Sequence, residues 1–343
     1  MTCIHPLPGA QSQNIDRPAA VVRAHGFGCN CFFNSASSVL NWPEIMPDQG
    51  VYKEGALNIM NAKAILPKLK AWFEDYIRQF SSEDPIVQKS MNLKAEHTRR
   101  VCDVIMDIGG TLDLSMDDLC MAKACGLLHD IGRFQQYIRY RTFSDYKSED
   151  HAALGVEVIK ANRVLNGLTP AIADIIVRVV RYHNRALLPV GEGNRCLFFL
   201  KLLRDADKVD IWRVLTDYYQ NAGETRNPTI EMELPDIDQV SDPVYEALMN
   251  GKIAQVADLR TLNDFKLFQI GWIYDVNFPR TFQIVREKVY LELIRDALPQ
   301  RSVRATEIYK RARAYLERNS SAGQRVCPET MNGYEKANKK SMS

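Results

Sequence analysis

The sequence predicts an all-α protein: a helical bundle with additional packing helices. Three observations carry this. Apolar residues recur at steps of three and four from about residue 58 to 319, the helical period. The boundaries of these stretches hold helix start and stop residues. No stretch alternates convincingly between apolar and polar; the weak strand candidate is Thr229-Ile230-Glu231-Met232. Composition agrees with a folded globular chain, since 46% of the 343 residues are hydrophobic and 25% are charged. A net charge of +2 gives no support for nucleic acid or an anionic membrane as a bulk partner.

The elements follow in order. Residues 1 to 57 are rich in Pro, Gly, Asn and Ser and read as an irregular N-terminal segment. Within it, His25, Cys29 and Cys31 form a possible metal motif, but no second ligand pair follows at zinc-site spacing. The helical region spans residues 58–319. Ile65, Leu69, Trp72, Tyr76 and Phe80 mark the first helix, with Pro85 as its stop. Leu93, His97, Val101, Val104 and Ile108 mark the next, which breaks at Gly109-Gly110. Ser115 caps a helix running to His129, and Asp150 or Ser148 caps one beginning at His151 and ending at Asn166-Gly167. Thr169-Pro170 opens a helix that reaches His183. Further helices are expected at about 196–219, at 256–273 with a break near Asn263, at 281–298 and at 304–319. Residues 320–343 are polar and basic and read as a mobile tail.

No run of about 18 apolar residues is present, so no membrane span is expected. The N-terminus lacks the charged-then-apolar order of a signal peptide. Cys102, Cys120, Cys125 and Cys196, four of the eight cysteines, fall inside helical apolar patterns. They suit small buried hydrophobes in a reducing compartment, so the expected location is cytoplasmic.

Four of the six histidines (His97, His129, His151 and His183) stand where core helices want apolar side chains. A buried polar group without a partner is costly. Several histidines converging with aspartates are most simply satisfied by metal ions. Asp130 directly follows His129 at a helix end. Asp205 and Asp207 both lie on apolar faces of one helix, about 200° apart at 100° per residue, so periodicity does not choose between them.

His97, then His129-Asp130, then His151 and His183, then Asp207 in the run LLRDADKVDIW, resemble the HD superfamily of metal-dependent phosphohydrolases over roughly residues 90–215. The resemblance implies an HD-domain helical bundle. It also implies that His97, His129, Asp130 and Asp207 bind one metal, because the last aspartate of the family stands in an Ala-Asp-basic-apolar context. His151 and His183 resemble the variant that holds a second ion, with Asp130 bridging both. Cyclic-dinucleotide phosphodiesterases of the HD-GYP type have two adjacent histidines where this chain has His183-Asn184, and the GYP signature is absent. That departure weighs against a cyclic-dinucleotide substrate.

The nitrogen-rich ligand set favours manganese or iron, with zinc, nickel, cobalt or magnesium as alternatives. Such a site predicts metal-activated water attacking a phosphoester or phosphoanhydride of a small nucleotide-like substrate, with Asp130, Arg133 and Lys208 as catalytic residues. Arg133, Arg139, Arg141 and Lys147, interleaved with Phe134, Tyr137, Tyr140, Phe143 and Tyr146, are candidate substrate contacts. The competing reading makes the aromatics a core stripe and the cations a solvated face. Lys208 either stabilises a leaving group or snorkels to solvent. Lys94, Arg100 and Arg204 also flank ligands. Trp272, Tyr274 and Phe278 read as core. A mononuclear nucleotidase and a non-catalytic nucleotide sensor are the alternative functions.

Overall fold

A computed structural model describes residues 61–221 and 230–322. The His25/Cys29/Cys31 motif, the N-terminal segment and most of the expected tail lie outside the described residues. Within them the chain is all-α, with no β-strand. The first seven helices are α1 (Ala62–Arg78), α2 (Pro85–Gly109), α3 (Met116–Leu128), α4 (Gly132–Tyr140), α5 (His151–Ala161), α6 (Pro170–Tyr182) and α7 (Asn194–Asn221). The remainder are α8 (Asp242–Met249), α9 (Leu262–Gly271), α10 (Pro279–Glu287), α11 (Tyr290–Asp296) and α12 (Val303–Ala322). Short 3-10 turns occupy Asp145–Lys147, Val256–Asp258 and Trp272–Asp275.

Local capping explains most starts. Ser115, Asp150 and Thr169 accept hydrogen bonds from the first backbone N–H groups of α3, α5 and α6. Pro85 does not end α1, which stops at Arg78; it is the first residue of α2, capped by Asp84. Proline fits there because the first helical N–H has no intrahelical acceptor to lose. α5 stops at Ala161, earlier than Asn166-Gly167, and residues 162–167 form turns in which Arg163 and Gly167 take positive φ.

The C-terminal third departs further from the periodic reading. α8 was not expected. The stretch 256–273 is not one helix broken near Asn263; α9 starts after Thr261, whose side chain and that of Asp264 form a reciprocal capping box. The stretch 281–298 splits into α10 and α11 at Val289, whose φ of 49° is left-handed and strained for a β-branched residue. The strand candidate fails: residues 230–233 are turn, with Met232 and Glu233 at φ 57° and 58°, and Thr229 lies outside the described residues.

The central element is α7. It packs against α2, α3 and α6 on one side and α10 and α11 on the other. Trp212 on α7 meets Trp272 and Tyr290, which ties the C-terminal helices to the bundle. Trp272 and Phe278 are core, while Tyr274 is only partly buried. Cys102, Cys120, Cys125 and Cys196 are buried free thiols. No described helix is long and apolar enough to cross a membrane.

Candidate metal centre

Five helices deliver six side chains to one buried point. His97 comes from the interior of α2 and Asp207 from the middle of α7. His129 and His183 are the C-cap residues of α3 and α6, Asp130 follows in the turn to α4, and His151 is the first residue of α5. Gly132 permits the closest approach: a Cβ there would overlap His151 O and Gly155 N, so only glycine lets α4 and α5 come together behind His151.

The four rings share one orientation. His129 and His183 each direct Nδ1 at the carbonyl three residues earlier, Gly126 O at 2.7 Å and Val180 O at 2.8 Å. His97 Nδ1 meets Asp210 Oδ2 at 2.7 Å, and His151 Nδ1 meets Asp145 Oδ2 at 2.7 Å. An acceptor at every Nδ1 assigns the proton there and leaves every Nε2 lone pair facing inward, the arrangement of metal-bound histidine.

Those Nε2 atoms fall into two groups around Asp130. His97 and His129 face each other at 3.3 Å, and lie 3.5 and 3.6 Å from Asp130 Oδ2. Asp207 Oδ1 completes this group, 3.1 Å from His97 and 3.9 Å from His129. His151 and His183 face each other at 3.0 Å and lie 3.3 and 3.8 Å from Asp130 Oδ1. Asp130 Oδ1 and Asp207 Oδ1 are buried and accept no hydrogen bond of good geometry. Paired lone pairs beside orphaned carboxylate oxygens repel unless cations sit between them, so the donor set fits metal ions. The described residues place His97, His129 and Asp207, and separately His129, Asp130 and His183, within metal-ligating reach.

The electrostatics agree. Burial, with His151 and His129 nearby, pushes His183 down to about 3, and burial also lowers His129, so both are neutral donors. Burial opposes charge on Asp207, yet the His97 ring, with Nε2 3.1 Å from Oδ1, holds it at about 2. Asp130 also stays well below the usual carboxylate range despite burial, held there by Lys94 and the histidines. Against burial and the nearby Arg133, Asp145 and Asp130 raise His151 instead, and His97 is raised further. Burial and Lys94 work against its charge, but Asp207 and Asp210 on its two nitrogens raise it to about 10. The Asp207 carboxylate beside Nε2 favours a cation at this position, which a metal ion supplies in place of the proton.

Of the aspartate pair on α7, Asp207 joins the cluster. Asp205 faces away, accepting from Asn277 N at 2.9 Å and Phe278 N at 3.0 Å. Arg133 is fully buried and bonds Gln136, Phe143 O and Asp145, with Nε 3.5 Å from Asp130 Oδ1. Arg139 pairs with Glu149 and Lys147 with Glu233 at the surface; Arg141 is the exposed left-handed C-cap of α4. None of these three bonds a residue of the cluster. Phe134, Tyr137 and Phe143 are core, whereas Tyr140 and Tyr146 are exposed. Lys208 does not snorkel: its buried Nζ donates to Asp275 Oδ2 at 2.5 Å.

Three supporting residues escaped the sequence reading. Asp210 orients His97 and is itself held by Arg100 and Arg213. Its only trace was its place three residues after Asp207. Asp145 orients His151 and gathers Arg133, Gln136 and Asn184, but nothing in the run from 143 to 150 singles it out among the acids. Lys94, noted only as flanking, donates to Asp130 Oδ2 at 2.9 Å. Asp145, Asp150 and His151 also lie within metal-ligating reach of one another. Since Asp145 holds His151 by Nδ1, we assign it to ring orientation. Asp145→Asn is expected to weaken metal affinity 10 to 100-fold, roughly the usual loss for a support of this kind, with the fold intact. Metal titration of the variant at wild-type affinity would remove that role.

Among comparisons with known proteins, no curated protein and no solved structure matches the chain. Residues 95–212 match the family model described as the HD domain. The matched span contains His97, His129, Asp130, His151, His183 and Asp207, so over residues 95–212 the chain is similar to an HD domain, and the buried cluster is compatible with the metal site of such a domain.

Proposed function

We propose that the protein is a two-metal phosphohydrolase cleaving a phosphoester or phosphoanhydride of a small, nucleotide-like substrate in the cytoplasm. The observation that carries this reading is the division of Asp130: Oδ2 faces His97, His129 and Asp207, while Oδ1 faces His151 and His183. A mononuclear site has no use for the second pair. Two ions held there, manganese or iron by the donor set, would lower the pKa of a shared water and clamp the phosphoryl oxygens for in-line displacement.

The residues then take distinct parts. Lys94 offsets the charge of Asp130 and holds the bridging carboxylate in one rotamer. Arg133 spans Asp130 and Asp145, which positions both the bridge and the ring of His151. Asp207 is the most exposed ligand, at 8%, so substrate reaches the cluster on the α7 side. There Arg204 and Lys208 flank it in sequence, joined by Asp275, whose side chain is 24% exposed. These two are the cations best placed to meet a phosphate and its leaving group. Asn184, beside His183, bonds Asp145 and Asp150 instead of offering a further imidazole, which disfavours a cyclic-dinucleotide substrate.

The test is elemental analysis of protein purified without chelators, followed by a phosphatase and phosphodiesterase panel with added manganese. Two ions per chain are expected in wild type and one in His151→Ala and His183→Ala, both folded. One ion throughout would favour the mononuclear nucleotidase. Nucleotide binding without release of phosphate would favour a sensor.

A further inference from the structure

Away from the metal cluster, α12 and the 3-10 turn Trp272–Asp275 enclose a cleft of about 400 Å³, lined by Gly251, Tyr274, Lys310, Arg311, Ala314, Tyr315 and Arg318. Arg311, Ala314, Tyr315 and Arg318 follow the i, i+3, i+4, i+7 spacing, so one face of α12 forms the wall. Lys310 flanks it. No acidic side chain lines the cleft among the described residues. Among the described residues Lys310, Arg311 and Arg318 make no ion pair and no side-chain hydrogen bond, and all three are exposed.

The aromatic side of the cleft is equally unspent. Tyr274 and Tyr315 meet edge to face with centroids 5.2 Å apart. The Tyr274 hydroxyl is buried and has no hydrogen-bond partner. A buried hydroxyl without a partner is costly, and Arg311 and Arg318 both act on it electrostatically. Ala314 leaves room between the two arginines. Guanidinium groups bind phosphate oxygens bidentately, and tyrosine offers both an apolar ring and a hydroxyl donor. The volume exceeds what a lone phosphate needs.

We infer that this cleft is a second ligand site, which binds a nucleoside phosphate through Arg311 and Arg318, with the ring moiety against Tyr274 and Tyr315. Tyr274 directly precedes Asp275, the carboxylate that holds Arg204 and Lys208.

The experiment is calorimetric titration of the full chain with ADP in the presence of EDTA, which takes metal-supported turnover out of the readout. Saturable binding is expected, competed by pyrophosphate and weaker for adenosine. The double variant Arg311→Glu/Arg318→Glu should lose about tenfold or more in affinity for each arginine removed. A charge-matched control, Lys63→Glu/Lys160→Glu, alters exposed lysines on α1 and α5 and should bind as wild type. Equal ADP affinity in wild type and the arginine variant overturns the site, as does an equal loss in the control. Because binding is read without turnover, failure here leaves the phosphohydrolase reading standing, and failure of that reading leaves this site standing.

Discussion

Asp130→Asn is expected to empty both halves of the metal cluster and lower turnover by about 10³-fold or more, the scale of several kcal/mol of lost charge stabilisation. No other ligand faces both histidine pairs: Oδ2 lies 3.5 and 3.6 Å from His97 and His129, and Oδ1 lies 3.3 and 3.8 Å from His151 and His183. The amide keeps the shape but loses the charge and offers only one oxygen. Asp130→Ala should lose the same activity and also stability, by about 3–5 kcal/mol, because it removes the buried carboxylate paired with the fully buried Lys94 ammonium. Comparing the two separates function from folding. His129→Ala should act in the same direction, removing one donor from the first group. The readings are elemental analysis, phosphate release and denaturant midpoints. Full metal content with full turnover in Asp130→Asn would sink the site.

What the sequence revealed divides along a physical line. Cap residues act on backbone N–H groups two or three positions away, so Ser115, Asp150 and Thr169 were readable without tertiary knowledge. The histidines were readable because an imidazole at an apolar stripe position conflicts with burial unless something satisfies it. Their supports were not. His97 and Asp210 are 113 residues apart, and no local rule connects them. The break at Val289 was also invisible: it carries neither Gly nor Pro, and a β-branched residue takes a left-handed φ there while Tyr290 and Leu291 are buried. Pro85 was legible as a boundary but not as to which side, since proline excludes helix before it and suits the first turn after it.

The two aspartates of α7 show where periodicity ends and geometry decides, and they should respond in opposite ways. Asp207→Asn is expected to cut metal affinity sharply while leaving the chelated protein near its original thermal midpoint. Its Oδ1 accepts no good hydrogen bond and points at the His97 and His129 nitrogens, so its charge serves the ion more than the fold. Asp205→Ala is expected to do the reverse. Its carboxylate accepts from Asn277 N, Asn277 Nδ2 and Phe278 N at the entrance to α10, and a buried donor such as Phe278 N left without an acceptor costs about 1–3 kcal/mol. A loss of about 3 kcal/mol would lower the midpoint by roughly 4–6 °C in a chain of this size. Asp205→Asn, which keeps one acceptor oxygen, should fall between wild type and the alanine variant in stability. Metal affinity in both Asp205 variants should drop far less than in Asp207→Asn, since Asp205 reaches the cluster only through the turn that positions Asp275. Thermal scans of chelated protein beside metal titrations give the two axes. A variant of Asp205 that loses the metal while Asp207→Asn keeps it would reassign the α7 ligand, but the four histidines and Asp130 would still converge on one point.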